Sequence, residues 1–393
     1  MKVNIQTVKV VALTAVITCL LTNTVHDFNY VKNNGKIMRK LSAVTEKIKD
    51  YSIYRPEDEL MADTAATALA ASVGDKYTRY LDEYSYKQYM DATSSSYFGV
   101  GITLQTDYTS EAVMISEIAE DGPSARAGVA VGDILTAVDG DNCTSTTLRD
   151  IITNIKSKPE GDTVILTLLR NGEQIEITVP VEKVQSKLVS GQMLSDGVGY
   201  IKIASFDGSL DKDARTAYDD FVDMVSELRD SGMTKMVIDL RNNPGGDFGV
   251  VASIADEILS EGLITYTEDK DGEQSMLHAQ EGGLDYPIAV VTNGASASAS
   301  EVLTAALKDN GKAIVVGEKT YGKGVVQSCL SLADGSGLIV TSARYFTPGG
   351  ICIDGIGIEP DILCTLPEGT TVAHFAPEND PQIMKAVEAL SQE

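Results

Sequence analysis

Two short segments hold side chains that together could run hydrolytic chemistry. Pro287 to Glu301 (PIAVVTNGASASASE) reads as a buried strand ending at Asn293-Gly294, followed by serines 296, 298 and 300 at the start of a helix that continues through Val302, Leu303 and Ala306. A serine at a strand-to-helix turn stands at the carboxyl edge of a sheet, and the amide after it can donate to an oxyanion. The competing reading is N-capping by serine. Gly317 to Gln327 (GEKTYGKGVVQ) sets Lys323 between Gly322 and Gly324. A phosphate-cradling loop needs GxxxxGK[ST], and glycine follows this lysine, so nucleotide binding is disfavoured. The segment reads instead as a lysine delivered into a cavity, with Val325 and Val326 continuing as a strand. A third segment, Met236 to Gly246 (MVIDLRNNPGG), runs from an apolar strand through a glycine-paired turn into a helix bearing Val250, Ile254 and Ile258. Such a turn exposes amides that stabilise an anion, or is a plain strand-helix loop.

The chain has only His26, His278 and His374, and none sits in a strand-end motif. A serine nucleophile therefore needs another base, and lysine serves if desolvation lowers its pKa. A Ser-Lys dyad is the economical hypothesis.

The elements that must position these groups fall into several blocks. Residues 1–26 combine Lys2 and Lys9 with an apolar run, Val10 to Leu21, and read as a signal peptide or membrane anchor. Residues 35–92 form a helical module, with Leu60, Ala65, Ala66, Leu69 and Ala70 as its stripe. Residues 97–184 alternate strands with short helices, 185–370 form an α/β core, and 371–393 a C-terminal tail with a helix. In the core, Val198 to Ile203 is expected as a strand. Asp213 to Asp230 is expected as a helix burying Ala214, Ala217, Phe221, Val225 and Leu228.

A net charge of −25 argues against a nucleic-acid partner held through phosphates. Cys19, Cys143, Cys329, Cys352 and Cys364 are odd in number and show no CxxC spacing, so buried free thiols are expected rather than a metal site or disulfides. No cofactor or metal is indicated. The N-terminal segment places the bulk of the chain outside the cytoplasm, secreted or membrane-anchored.

Within 97–184, the strand Tyr97 to Leu104 (YFGVGITL), then EDGPSARAG, VGDILTAVDG and the strand Thr163 to Arg170 follow the order of a PDZ domain, which this region resembles. Gly99 and Gly101 let amides converge into a nest for a terminal carboxylate. Phe98, Gly99, Val100, Gly101 and Ile102 are the candidate peptide-binding residues, with Arg126 and Arg170 as further candidates for the carboxylate. The whole set, with TSARYFTPGG (Thr341 to Gly350) and GIGIEPD (Gly355 to Asp361), resembles the carboxy-terminal processing peptidases, tail-specific serine proteases, over about residues 60 to 365.

That resemblance implies a serine endopeptidase of mixed α/β, multidomain architecture: a helical N-terminal module, an inserted PDZ domain and a peptidase core. It implies Ser298 as nucleophile, Lys323 as base, Gln327 orienting the lysine, and the amides of Ala299 and Gly245, rather than Gly246, as the oxyanion hole. Its substrates would be proteins or peptides with a free C-terminus, and it leaves room for a homodimer through the helical ends, Ile37 to Asp91 and Gln382 to Leu390, and for a regulatory partner protein. A PDZ adaptor with an inactive core is the alternative class. One departure is Asp75-Lys76-Tyr77-Thr78 where the family has DPYS, a segment read from sequence as far from the dyad.

Overall fold

The computed structural model describes residues 35–93, 96–106, 112–119, 122–143, 146–185, 187–208 and 215–391. The predicted anchor, residues 1–26, lies outside them, as do Cys19, His26 and Ala214. Among the described residues no helix is long and apolar enough to cross a membrane.

The core is a sheet in the order Val189–Met193, Val198–Ile203, Lys235–Asp239, Ile288–Thr292, Ala313–Gly317 and Ile362–Leu363. Only the first pair is antiparallel. Period-two alternation sends side chains to both faces. Met236 and Ile238 face the helices Ala217–Asp230, Phe248–Ile258 and Ala299–Asp309. Val237, Tyr200 and Val291 face the helix Pro381–Ala389. The helix at Ala217 buries Ala217, Phe221, Val225 and Leu228, as the sequence spacing predicts. Each large apolar side chain so buried contributes about 1.5–3 kcal/mol. Because the parallel strands share one direction, the turns after Asp239 and Thr292 open at the same carboxyl edge.

The entry module departs from a continuous helical reading. A helix covers 35–51, others Asp58–Ala71 and Glu83–Ala92, and between the last two the strand Arg79–Leu81 pairs with Gly337–Phe346. Long-range pairing has overridden the local pattern here. Of the expected stripe, Ala70 is buried while Leu60 and Leu69 are 61% and 45% exposed. The Arg79–Leu81 strand joins a second sheet made of Gly337–Phe346, Leu263–Asp269, Gln274–His278 and Val325–Ser331. His278, which the sequence reading set outside any strand-end motif, therefore ends a strand.

The middle module is a six-stranded sheet, Ile102–Thr106, Val113–Ile118, Ile134–Val138, Thr163–Arg170 and Glu173–Pro180 in order with the short strand Asp141–Asn142 on Ile134–Val138, and the helix Leu148–Lys156 against it. Gly101, at φ +73°, breaks the predicted opening strand into Ser96–Gly99 and Ile102–Thr106. The first piece pairs with Glu182–Gln185, so the module enters and leaves through one two-stranded ribbon.

The C-terminal helix packs Ile383, Ala386, Val387 and Leu390 on its own sheet. Met384, 42% exposed, is the large apolar side chain this helix leaves toward solvent. Of the described cysteines, Cys143 is buried, Cys352 and Cys364 are half-buried, and Cys329 is exposed, because its strand borders a cleft. Among these four, all free, full burial holds for Cys143 alone.

Candidate active site

A cleft of roughly 990 Å³ opens between the core's carboxyl edge and the entrance ribbon of the middle module. Ser298, Ala299, Gly245, Gly246, Lys323, Gln327 and Phe98 all line it. Neither His278 nor His374 does.

The three serines have different tasks. Ser296 donates its hydroxyl to the Leu240 carbonyl at 2.8 Å, and Ser300 donates to the Asn243 carbonyl at 3.0 Å; both are fully buried. They stitch one turn to the other. Ser298 alone lines the cleft, and its backbone sits at φ 56°, ψ −115°. A non-glycine residue there stores about 1–3 kcal/mol, held by surrounding contacts. Close approach explains the glycine pair opposite: a Cβ on Gly245 would lie 2.8 Å from the Ser298 Cβ, and one on Gly246 2.4 Å from the Phe206 backbone.

Among the described residues, the Ala299 amide has no protein partner, as an oxyanion donor requires. The Gly245 amide instead donates to Asn243 Oδ1 at 2.9 Å, while Asn243 Nδ2 donates to the Ile203 carbonyl at 2.8 Å. The neighbouring Gly246 amide has no protein partner among the described residues.

Lys323 owes its flanking glycines to the loop behind it. A Cβ on Gly322 would meet the Gly357 amide at 2.9 Å, and one on Gly324 the Asp354 amide at 2.4 Å. Burial is the main cause holding the Lys323 ammonium below its ordinary pKa; Arg79 and Lys76 add to this, while Cys329 and Glu301 oppose it. The shift has the sign a general base needs.

Glu301 ties the two catalytic candidates together. It is fully buried, and its Oε2 accepts the amides of Ser298 and Lys323 at 2.9 and 2.8 Å. Its Oε1 accepts the Gly322 amide at 2.8 Å and the Thr320 hydroxyl at 2.5 Å. Four donors thus neutralise a carboxylate that would otherwise be too costly to bury. Tyr345, buried, donates its hydroxyl to the Ser298 carbonyl at 3.0 Å and touches the Lys323 carbonyl.

Gln327 is in the cleft, but its Nε2 donates to the Tyr77 carbonyl at 3.2 Å. Lys323 precedes the strand Val325–Ser331, whose register shifts between Val326 and Gln327. The Tyr77 ring centroid lies 5.2 Å from Lys323 Nζ. The Asp75–Thr78 segment is therefore against the lysine, contrary to the sequence reading, because the strand that follows it, Arg79–Leu81, pairs with Gly337–Phe346, the same strand that Val325–Ser331 pairs with from its other side.

In the middle module, Gly99 to Ile102 lead into an outer strand, Ile102–Thr106, with the helix Leu148–Lys156 beside it. This is the geometry for adding a peptide strand. Arg126 pairs with Glu182, and Arg170 forks onto Asp133 with two bonds of 2.7 Å and onto the Gly128 carbonyl at 2.8 Å, so both serve the module's own frame.

A β-module with an outer strand beside a cleft lined by an elbow serine and a half-buried lysine is the arrangement of a PDZ-bearing serine-type peptidase. Comparison with known proteins agrees. The profile of peptidase family S41 matches residues 197–364, and that of a PDZ domain residues 96–181. The carboxy-terminal-processing protease of Bartonella bacilliformis is 30% identical over 344 residues, covering 86% of this chain and 77% of that protein. The chloroplastic carboxyl-terminal-processing peptidase 2 of Arabidopsis thaliana is 33% identical over 312 residues, 76% of this chain and 59% of that one. The solved photosystem II D1 C-terminal processing protease superposes with a TM-score of 0.50 at 27% identity, over 84% of this chain and 92% of that chain. The chain belongs to peptidase family S41, as a C-terminal processing serine protease with a PDZ domain acting on protein or peptide substrates.

Proposed function

We propose that this protease is a membrane-anchored or secreted endopeptidase using Ser298 as nucleophile and Lys323 as base, and that its PDZ domain presents substrates by their free C-termini. The observation that carries the dyad is the shared Glu301 oxygen, which fixes both residues' backbones at one edge of the cleft. Neutral Lys323 takes the Ser298 hydroxyl proton as Ser298 Oγ attacks the scissile carbonyl. The resulting oxyanion is held by the Ala299 amide and the Gly245–Gly246 turn. Lys323, now protonated, gives its proton to the leaving amine, and water completes deacylation. Gln327, with Nε2 committed to Tyr77, keeps Oε1 to accept from the lysine amine.

Recognition of the C-terminus falls to the Phe98–Ile102 segment, and Phe98 reaches the catalytic cleft itself. The helix over 35–51, with Ile37, Met38, Val44 and Ile48 exposed, is the surface for a second subunit, to be checked by light scattering. Anchoring and export rest on the basic-plus-apolar N-terminus. Membrane fractionation, with external protease reaching residues beyond Lys32, tests them; a cytosolic pool holding nearly all the protein would refute export. The chemistry is tested by comparing the C-termini of cell-envelope proteins with and without Ser298→Ala. Unchanged C-termini together with full peptidase activity of the variant would overturn it.

A further inference from the structure

Where the family motif reads DPYS, this chain carries Lys76 in place of the proline, and the fold brings that departure to the catalytic lysine. Asp75 secures the segment: its carboxylate accepts the Tyr77 and Thr78 amides at 2.6 and 3.0 Å and the Thr341 hydroxyl at 3.1 Å, and it also takes the Thr78 hydroxyl. The Thr341 amide returns a bond to Thr78 Oγ1 at 3.2 Å. Tyr77 is thereby held with its carbonyl on Gln327 and its ring beside Lys323.

Lys76 Nζ lies 4.8 Å from the centroid of that same ring, and Lys323 Nζ 5.2 Å. The two ammonium groups are therefore no farther apart than the sum of these distances. Arg79, three residues on, stands over the ring of Tyr89, itself part of the cleft wall.

We propose that Lys76, alongside Arg79, is a positioning residue that acts through Lys323: its positive charge on the Tyr77 ring disfavours the ammonium form of Lys323 and keeps the base neutral at lower pH. Two cations share one aromatic ring, and each repels the other. The other groups around Lys323 are Glu301 from the serine helix, Cys329 and Gln327 from the Val325–Ser331 strand, and Tyr345 from the Gly337–Phe346 strand. Glu301 and Cys329 favour the protonated lysine, but the Glu301 charge is already shared among four donors. Lys76 is exposed, so its influence is screened by salt.

This inference rests on Lys323 being the base. The test is the pH dependence of kcat/KM for the whole protein on an internally quenched peptide with a free apolar C-terminus and no group titrating between pH 6 and 10. Relative to wild type, Lys76→Gln should slow cleavage by about two-fold on the rising limb, and Lys76→Glu by about four-fold, with the high-pH plateau unchanged. The separation should shrink in ~1 M salt. A limb present in the wild type and lost in Lys323→Arg, yet superimposable among wild type, Lys76→Gln and Lys76→Glu, overturns this inference alone. Full activity of Lys323→Arg overturns the dyad and this inference with it.

Discussion

Ser298 and Lys323 donate their backbone amides to a single oxygen, Glu301 Oε2, at 2.9 and 2.8 Å. The contact is between main chains and a buried anion, so neither side chain is used up in making it. Replacing Glu301 by glutamine swaps one acceptor oxygen for an NH₂ that faces amide donors. Glu301→Gln should lose about 2–4 kcal/mol of stability in urea denaturation and at least about ten-fold in kcat, since hydrogen bonds to a charged group contribute about 1.5–3 kcal/mol each. Wild-type stability and rate would show that the clamp does not position the pair.

Lys323→Arg separates a base from a mere cation. Arginine effectively never releases its proton, so the variant should fold and bind peptide but cleave at under about a tenth of the wild-type rate. Because burial lowers the lysine pKa, the wild-type rate should rise with pH through an ionisation below lysine's ordinary value, as the neutral amine forms. Stopped-time peptide cleavage across pH checks both.

Asn243→Ala should leave the Gly245 amide and the Ile203 carbonyl without side-chain partners in a buried turn. The cost is about 1–3 kcal/mol per group. The turn supplies the glycine pair to the cleft, so kcat should fall while KM changes little. An equal rise in KM with kcat retained would assign the turn to substrate binding.

Arg241 is buried among Asp239, Asp380 and Gln382, with bonds between 2.7 and 3.0 Å. It joins the DLRNNPGG turn to the C-terminal helix. Asp380→Ala removes one charge of a buried set and should destabilise by about 3–5 kcal/mol. Thermal or urea unfolding measures it, and a loss below 1 kcal/mol would place the helix outside the cooperative core.

Amidating the C-terminus of a cleavable peptide removes the charge proposed to sit at the Gly99–Gly101 nest. Cleavage should slow by about ten-fold through KM, from the loss of charge-assisted hydrogen bonds. Equal rates for acid and amide would remove the carboxylate role and leave the Ser298 chemistry untouched.

Local pattern carried the site a long way. The helix at Ala217, the strand at Val198 and the serine, glycine and lysine turns are all short-range signals, set by apolar period and by residues tolerant of unusual backbone. Ser298 could not be singled out from Ser296 and Ser300 by spacing alone, because what distinguishes them is which carbonyl each hydroxyl meets across the turn. Tyr77 and Lys76, quoted only as a motif departure and read as far from the dyad, and Asp380, not singled out at all, share a related reason. Their partners Gln327, Lys323 and Arg241 are remote in sequence, and no periodicity encodes a contact made by sheet assembly. Glu301 and Tyr345 stood within quoted motifs but without tasks, since a polar residue's role depends on burial and donors that only the fold supplies.

The Glu301 clamp also bears on how the enzyme could be put to use. Since it grips backbone and not the reacting side chains, exchanging Ser298 or Lys323 for an inert residue leaves the cleft's mould standing. A silenced copy would then hold its natural clients without cutting them. Immobilised as bait, it could fish those clients from a cell extract and reveal their identities.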